Sequence, residues 1–100
     1  MPRQIIFEPI AKLEFEAAID WYNNKQTGLG ETFEGEIYAV FQRALESPER
    51  FRLVGRTVRK AMVKVFDRYS VYFYVEHDLI GIVSVFHSSR NPSDLRHRMK

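Results

Sequence analysis

One hundred residues make one domain, and an apolar share of 45%, with eight Phe, five Tyr and one Trp, is enough to fill a core. The absence of cysteine excludes disulfides, thiolate metal sites and Cys nucleophiles, and argues against a small secreted fold, which usually needs such staples. Formal net charge is only +2, but acids crowd residues 8–49 and bases residues 50–100, so the chain is bipolar, with a basic side suited to phosphate or to an acidic protein surface.

Met1-Pro2-Arg3-Gln4 is followed by no apolar run long enough for a signal peptide, and no stretch approaches the roughly 18 apolar residues of a membrane span. The expectation is a cytoplasmic protein with no membrane partner. Arg3-Gln4-Ile5-Ile6-Phe7 is a short β-prone run. Pro9 fits the first turn of a helix, where its missing N–H costs nothing. Ile10, Leu13, Ala17 and Trp21 then recur at spacings of three and four, Ala18 and Tyr22 widen the stripe, and Phe15 and Ile19 extend it. Glu14, Glu16, Asp20 and Asn23 take the polar side, and Trp21 is expected in the core.

Gly28 suits a left-handed helix end, and Gly30 lets the chain turn back. A second amphipathic helix carries Phe33, Ile37, Val40, Phe41, Ala44 and Leu45, and Ser47-Pro48 stops it. So short a connection makes the two helices antiparallel neighbours. The period then changes. Residues 57–66 mix β-branched residues with Arg59, Lys60 and Lys64; Tyr69–Val75 and Leu79–Phe86 are β-prone, with turns at Asp67-Arg68 and His77-Asp78. Alternation puts Lys60, Met62 and Lys64 on one face, towards solvent, and Arg59, Ala61, Val63 and Val65 on the other, with Arg59 near a strand end or bulge. Pro92 starts a short helix over Ser93–Arg98. The whole reads as one α+β domain over residues 1–100, in the order β-α-α-β-β-β, with a helical hairpin packed on an antiparallel sheet.

No phosphate-cradling Gly-rich loop, HExxH or Cys/His metal spacing is present, and His77, His87 and His97 are too scattered for a metal site. Nothing in the sequence asks for a cofactor. The informative stretch is Val85–Pro92. His87 falls at a strand end with Arg90 three residues on, and the two can meet Arg59, Lys60 or Lys64. Such a cluster would stabilise a phosphodiester in its transition state, with His87 moving the proton. The structural alternative has His87 bonding a backbone carbonyl and Arg90 pairing with an acid such as Asp94.

Glu14-Phe15-Glu16-Ala17-Ala18-Ile19-Asp20-Trp21-Tyr22, then Gly28-Leu29-Gly30 with Phe33, resemble the helical hairpin of the RelE/ParE toxins, in the branch labelled plasmid stabilisation proteins. Ser47-Pro48 with Phe51, Val58-Arg59-Lys60-Ala61, Phe66 before Tyr69-Ser70-Val71-Tyr72-Phe73, and His87-Ser88-Ser89-Arg90-Asn91-Pro92 continue the match over nearly the whole chain. The resemblance implies the toxin of a type II toxin–antitoxin pair, bound by a cognate protein antitoxin. It implies one of two targets. A ParE-like toxin inhibits DNA gyrase and needs no nuclease site. A RelE-like toxin is an mRNA interferase, cleaving mRNA on the ribosome without a metal; His87, Arg90 and Arg59 would then be catalytic, with Lys60, Lys64 and Arg90 binding the RNA. No Tyr follows His87, so the C-terminal Tyr of several ribosome-dependent nucleases has no counterpart, and the 87–92 stretch looks more like ParE. A third reading is a member that binds its antitoxin and is no longer toxic.

Overall fold

Two long β-prone runs become the middle strands of a five-stranded sheet in the computed structural model, which describes residues 3–99. The elements are β1 (Gln4–Phe7), α1 (Pro9–Lys25), α2 (Leu29–Glu46), a single 3-10 turn (Pro48–Arg50), β2 (Arg52–Leu53), β3 (Val58–Met62), β4 (Tyr69–Glu76), β5 (Leu79–His87) and α3 (Pro92–Arg96). Strand order is β1-β5-β4-β3-β2. The helical hairpin carries the chain from one edge of the sheet to the other, and three antiparallel steps bring it back beside its start. β5 therefore runs parallel to β1, with Gln4 opposite Leu79 and Phe7 opposite Ile82. The α+β class and element order match expectation; the sheet is mixed rather than antiparallel, and the two-residue β2 is an addition. Among the described residues no helix is long and apolar enough to cross a membrane.

Both sheet faces are covered. On one, Ile5, Phe7, Ala61, Val63, Val71, Phe73, Ile80, Ile82 and Val85 meet the helical hairpin. Phe33 of α2 sits at its centre, fully buried, with its ring 5.0–5.2 Å from those of Tyr22, Phe66 and Tyr69. On the other, Val58, Tyr72, Val83 and Phe86 lie under Leu95 of α3 and Met99. Lys60 is accordingly half-buried, while Lys64 is exposed. Val65 does not join the inner face: its φ of +73 turns it outward, and Phe66 enters the core instead.

The helix faces follow from side-chain size. α1 buries Ala11, Phe15 and Ala18, with Ile19 and Tyr22 partly buried beside them. Ala11 and Ala18, on either side of Phe15, let the helix lie close on the sheet, as a Leu or Trp at those positions would not. The stripe Ile10, Leu13, Ala17 and Trp21 faces out, and Ile10, Leu13 and Trp21 each keep more than half of their surface exposed. Trp21 is therefore a surface residue and not a core one. At the hairpin, Gly28 takes φ +89, which glycine adopts without strain. Gly30 lies in the first turn of α2, where its N–H donates to Asn23 Oδ1 at 2.7 Å. A Cβ there would stand 2.4 Å from the Ile19 carbonyl oxygen, so this glycine serves helix contact rather than turning the chain.

Candidate functional site

β1 pairs with β5 only as far as Ile82, so among the described residues the outer edge of β5 beyond that point has no strand beside it. The opposite ladder is also irregular there: Tyr72 pairs with Ser84 and Phe73 with Ile82, leaving Val83 as the extra residue of a bulge. α1 lies along this edge and supplies Glu14 to it. Glu14 Oε1 accepts from the Ser84 hydroxyl at 2.9 Å and from the Val85 N–H at 3.2 Å. Arg98 donates to both carboxylate oxygens, at 2.8 and 3.0 Å, and to the Val83 carbonyl. Arg90 donates to Glu14 Oε2 while its guanidinium lies 4.6 Å from the centre of the Phe86 ring. A carboxylate and a guanidinium thus take the place of a neighbouring strand.

Burial pushes the Glu14 carboxyl up, but hydrogen bonds from Arg98, Arg90 and Ser84 and the charge of Arg98 outweigh it, so the group is held below its ordinary 4.5. Sequence reading put Glu14 on the polar side of its helix and offered Asp94 as a partner for Arg90; the partner is Glu14. The one signal available was a surplus of bases in the tail, where Arg90, Arg96, Arg98 and Lys100 stand against the single acid Asp94.

Next to this ion cluster, α1, the end of β5 and the turn after it enclose a groove of about 480 Å³. Ala17, Ala18 and Val85 form its apolar part, Trp21 and Tyr69 are its aromatic walls, and His87, Ser89 and Arg90 close one end. The Tyr69 ring meets the His87 ring edge-on at 4.9 Å. His87 Nδ1 accepts the Ser89 N–H at 3.0 Å, which leaves Nε2 to carry the proton of the neutral ring. The Arg90 N–H returns to the His87 carbonyl at 3.1 Å, so the turn is fixed from both sides.

The structure brings His87 and Arg90 together and keeps the other three candidates apart from them. Arg59 shares the helical face of the sheet but lies opposite Phe73, whereas His87 lies opposite Tyr69. That separates them by roughly 13 Å along the strands and about 10 Å across two strand spacings. Arg59 donates to the Phe51 carbonyl at 2.6 Å near the start of β3, the strand-end position expected for it. Lys60 is on the opposite face, its Nζ 5.9 Å from the centre of the Tyr72 ring, and Lys64 follows β3 in an exposed loop. Among the described residues no group of three or more His, Cys, Asp or Glu side chains is placed to hold a metal ion.

A family model described as the ParE toxin of the type II toxin–antitoxin system parDE matches residues 5–92. Among solved structures, one titled as a chromosomal ParDE toxin–antitoxin system from P. aeruginosa aligns with a TM-score of 0.72 at 13% identity, covering 85% of this chain and 95% of that one. A double Arg-to-Ala mutant of the E. coli toxin RelE in the free state aligns with a TM-score of 0.71 at 19% identity, covering 99% of this chain and 95% of that one. No curated protein matches the chain.

Proposed function

This chain belongs to the ParE toxin family of type II toxin–antitoxin systems, and from that premise we propose that it acts in the cytoplasm as an inhibitor of DNA gyrase, neutralised by a cognate antitoxin. It works by binding a protein, not by cleaving RNA. One observation carries this choice: the basic and acid–base groups that RNA cleavage would need are dispersed. Arg90 is held by Glu14, Arg59 by the Phe51 carbonyl, and Lys60 faces away from His87. A clamp for a phosphodiester needs cations converging within about 3 Å of one charge. Here His87 closes a turn and positions the end of the groove.

The test is induction of the chain alone in a bacterial host, with DNA and protein synthesis followed in parallel over the first minutes. DNA synthesis stops first, translation continues, and the purified chain blocks supercoiling by gyrase. His87→Ala keeps most of the toxicity. An early stop in translation, together with A-site mRNA cleavage that falls about 10²–10⁴-fold in His87→Ala, would replace this reading with the mRNA interferase. Induction without growth arrest would leave a chain that only binds its antitoxin.

A further inference from the structure

Charge that the fold does not use is concentrated along one edge of the sheet. Residues 50–68 hold seven bases against the single acid Asp67, in a chain whose formal net charge is only +2. Arg52 of β2 lies directly opposite Lys60 of β3, so two like charges meet across the ladder, an arrangement that disfavours the fold. Lys60 leans away over β4, its Nζ 5.9 Å from the centre of the Tyr72 ring, and Arg52 stays exposed at the edge. Arg56 is exposed in the β2–β3 loop, where the Val58 carbonyl accepts the Val54 N–H at 2.8 Å and the Gly55 N–H at 3.3 Å and so fixes the turn. Lys64 is exposed past the end of β3. Arg56 and Lys64 thus end a cationic line with Arg52 and Lys60 at its middle, at most about 26 Å long at roughly 3.3 Å per residue.

Nearby acids do not cancel this line. Glu49 shares a hollow with Arg56 and Arg59, and Glu46 shares another with Arg43 and Arg50, so each carboxylate has two cations beside it. Among the described residues the only carboxylate in an ion pair is Glu14, which lies beside β5, three strands from β2. We infer that this edge binds the sugar–phosphate backbone of duplex DNA. The inference rests on the gyrase reading, which supplies DNA as the polyanion, and adds a surface that touches the DNA as well as the enzyme. Two observations select a backbone over an acidic protein surface. First, the cations are strung out rather than convergent. A DNA strand presents a phosphate about every 3.4 Å along the axis, so such a line meets several phosphates whatever the base sequence. Second, protein interfaces are anchored at their centre by large aromatic or aliphatic groups. Met62 is the one large apolar side chain between Lys60 and Lys64 on that face, and its sulfur is turned back to accept the Ser70 hydroxyl at 3.6 Å.

The experiment measures binding of the purified chain to a short fluorescent duplex of mixed sequence over a salt series, and inhibition of supercoiling by gyrase in parallel. Wild type, Arg52→Ala/Arg56→Ala and, as a control for an exposed cation elsewhere, Lys12→Ala are compared, with thermal melts to establish that each is folded. Four phosphate contacts give wild type a slope of log affinity against log salt of about −3.6, or a loss of about 100-fold between about 50 and 200 mM salt. In the double variant the slope shrinks by about 2 and inhibition needs about tenfold more protein, while Lys12→Ala matches wild type in both. A double variant with the wild-type slope and the wild-type inhibitory dose overturns the surface and leaves the gyrase reading intact. Wild type that binds no duplex, with inhibition still lost in the double variant, assigns the edge to an acidic protein surface and overturns the inference. Tighter binding to single-stranded RNA than to the duplex overturns DNA as the occupant. Duplex binding that the double variant loses, in a wild type that never inhibits gyrase, upholds the surface and sinks the gyrase reading.

Discussion

Glu14 shows how much one side chain can organise. Its carboxylate accepts from two arginines, a serine hydroxyl and a backbone N–H, joining α1, β5 and the C-terminal segment. Its pKa is lowered in the folded state, so its contribution to stability is complete above the ordinary value of 4.5 and is lost as pH falls through the lower folded value. Glu14→Gln is expected to cost about 2–3 kcal/mol at pH 7, because two partly buried guanidiniums lose their counter-charge. Urea titrations at a series of pH values check the source: the gap between wild type and variant must narrow in acid. A gap of equal size at pH 7 and well below 4.5 would mean that the lost stability is packing and not charge. No local pattern marks Glu14 in the sequence, since its partners Arg90 and Arg98 lie 76 and 84 residues away.

Periodicity made the elements legible and left their phase open. α1 carries apolar residues over so wide an arc that two stripes compete, and a wheel alone does not choose between them. The choice falls to Ala11 and Ala18, whose small size allows close approach, and the larger stripe is left outside. The turn between the helices was readable from Gly28, but the role of Gly30 was not, because the atoms it must avoid belong to the preceding helix. Asn23→Ala removes the acceptor for the Gly30 N–H and should cost about 1 kcal/mol, read from the shift in the denaturation midpoint. Gly30→Ala should cost more than that, since its Cβ meets backbone. In the β3–β4 connection, Val65 is a β-branched residue with positive φ and an exposed side chain. Val65→Asn should stabilise the protein by about 0.5–1 kcal/mol, because Asn tolerates the left-handed region better; a destabilised variant would show that Val65 makes a contact that offsets its strain.

For the molecule as a whole, the packing of a helical hairpin on a sheet followed from that hairpin standing ahead of three β-prone runs, but the direction of β1 did not. A four-residue strand has no sequence feature that distinguishes a parallel from an antiparallel neighbour, and β1 acquires its direction only from where the last strand ends. The same limit applies to the candidate site. Sequence reading named His87 and Arg90 as neighbours, which they are, and grouped them with Arg59 and Lys60, which strand register places elsewhere. The pairing of β1 with residues 79–82 also has a consequence in time. A ribosome makes β1 long before its strand partner β5, so during synthesis this side of the sheet stays open until β5 has emerged. At about 5–20 residues per second, several seconds separate the two strands. A chain truncated after Asp78 should therefore lack cooperative unfolding, and a toxin built in this order has no finished sheet to act with until β5 closes it.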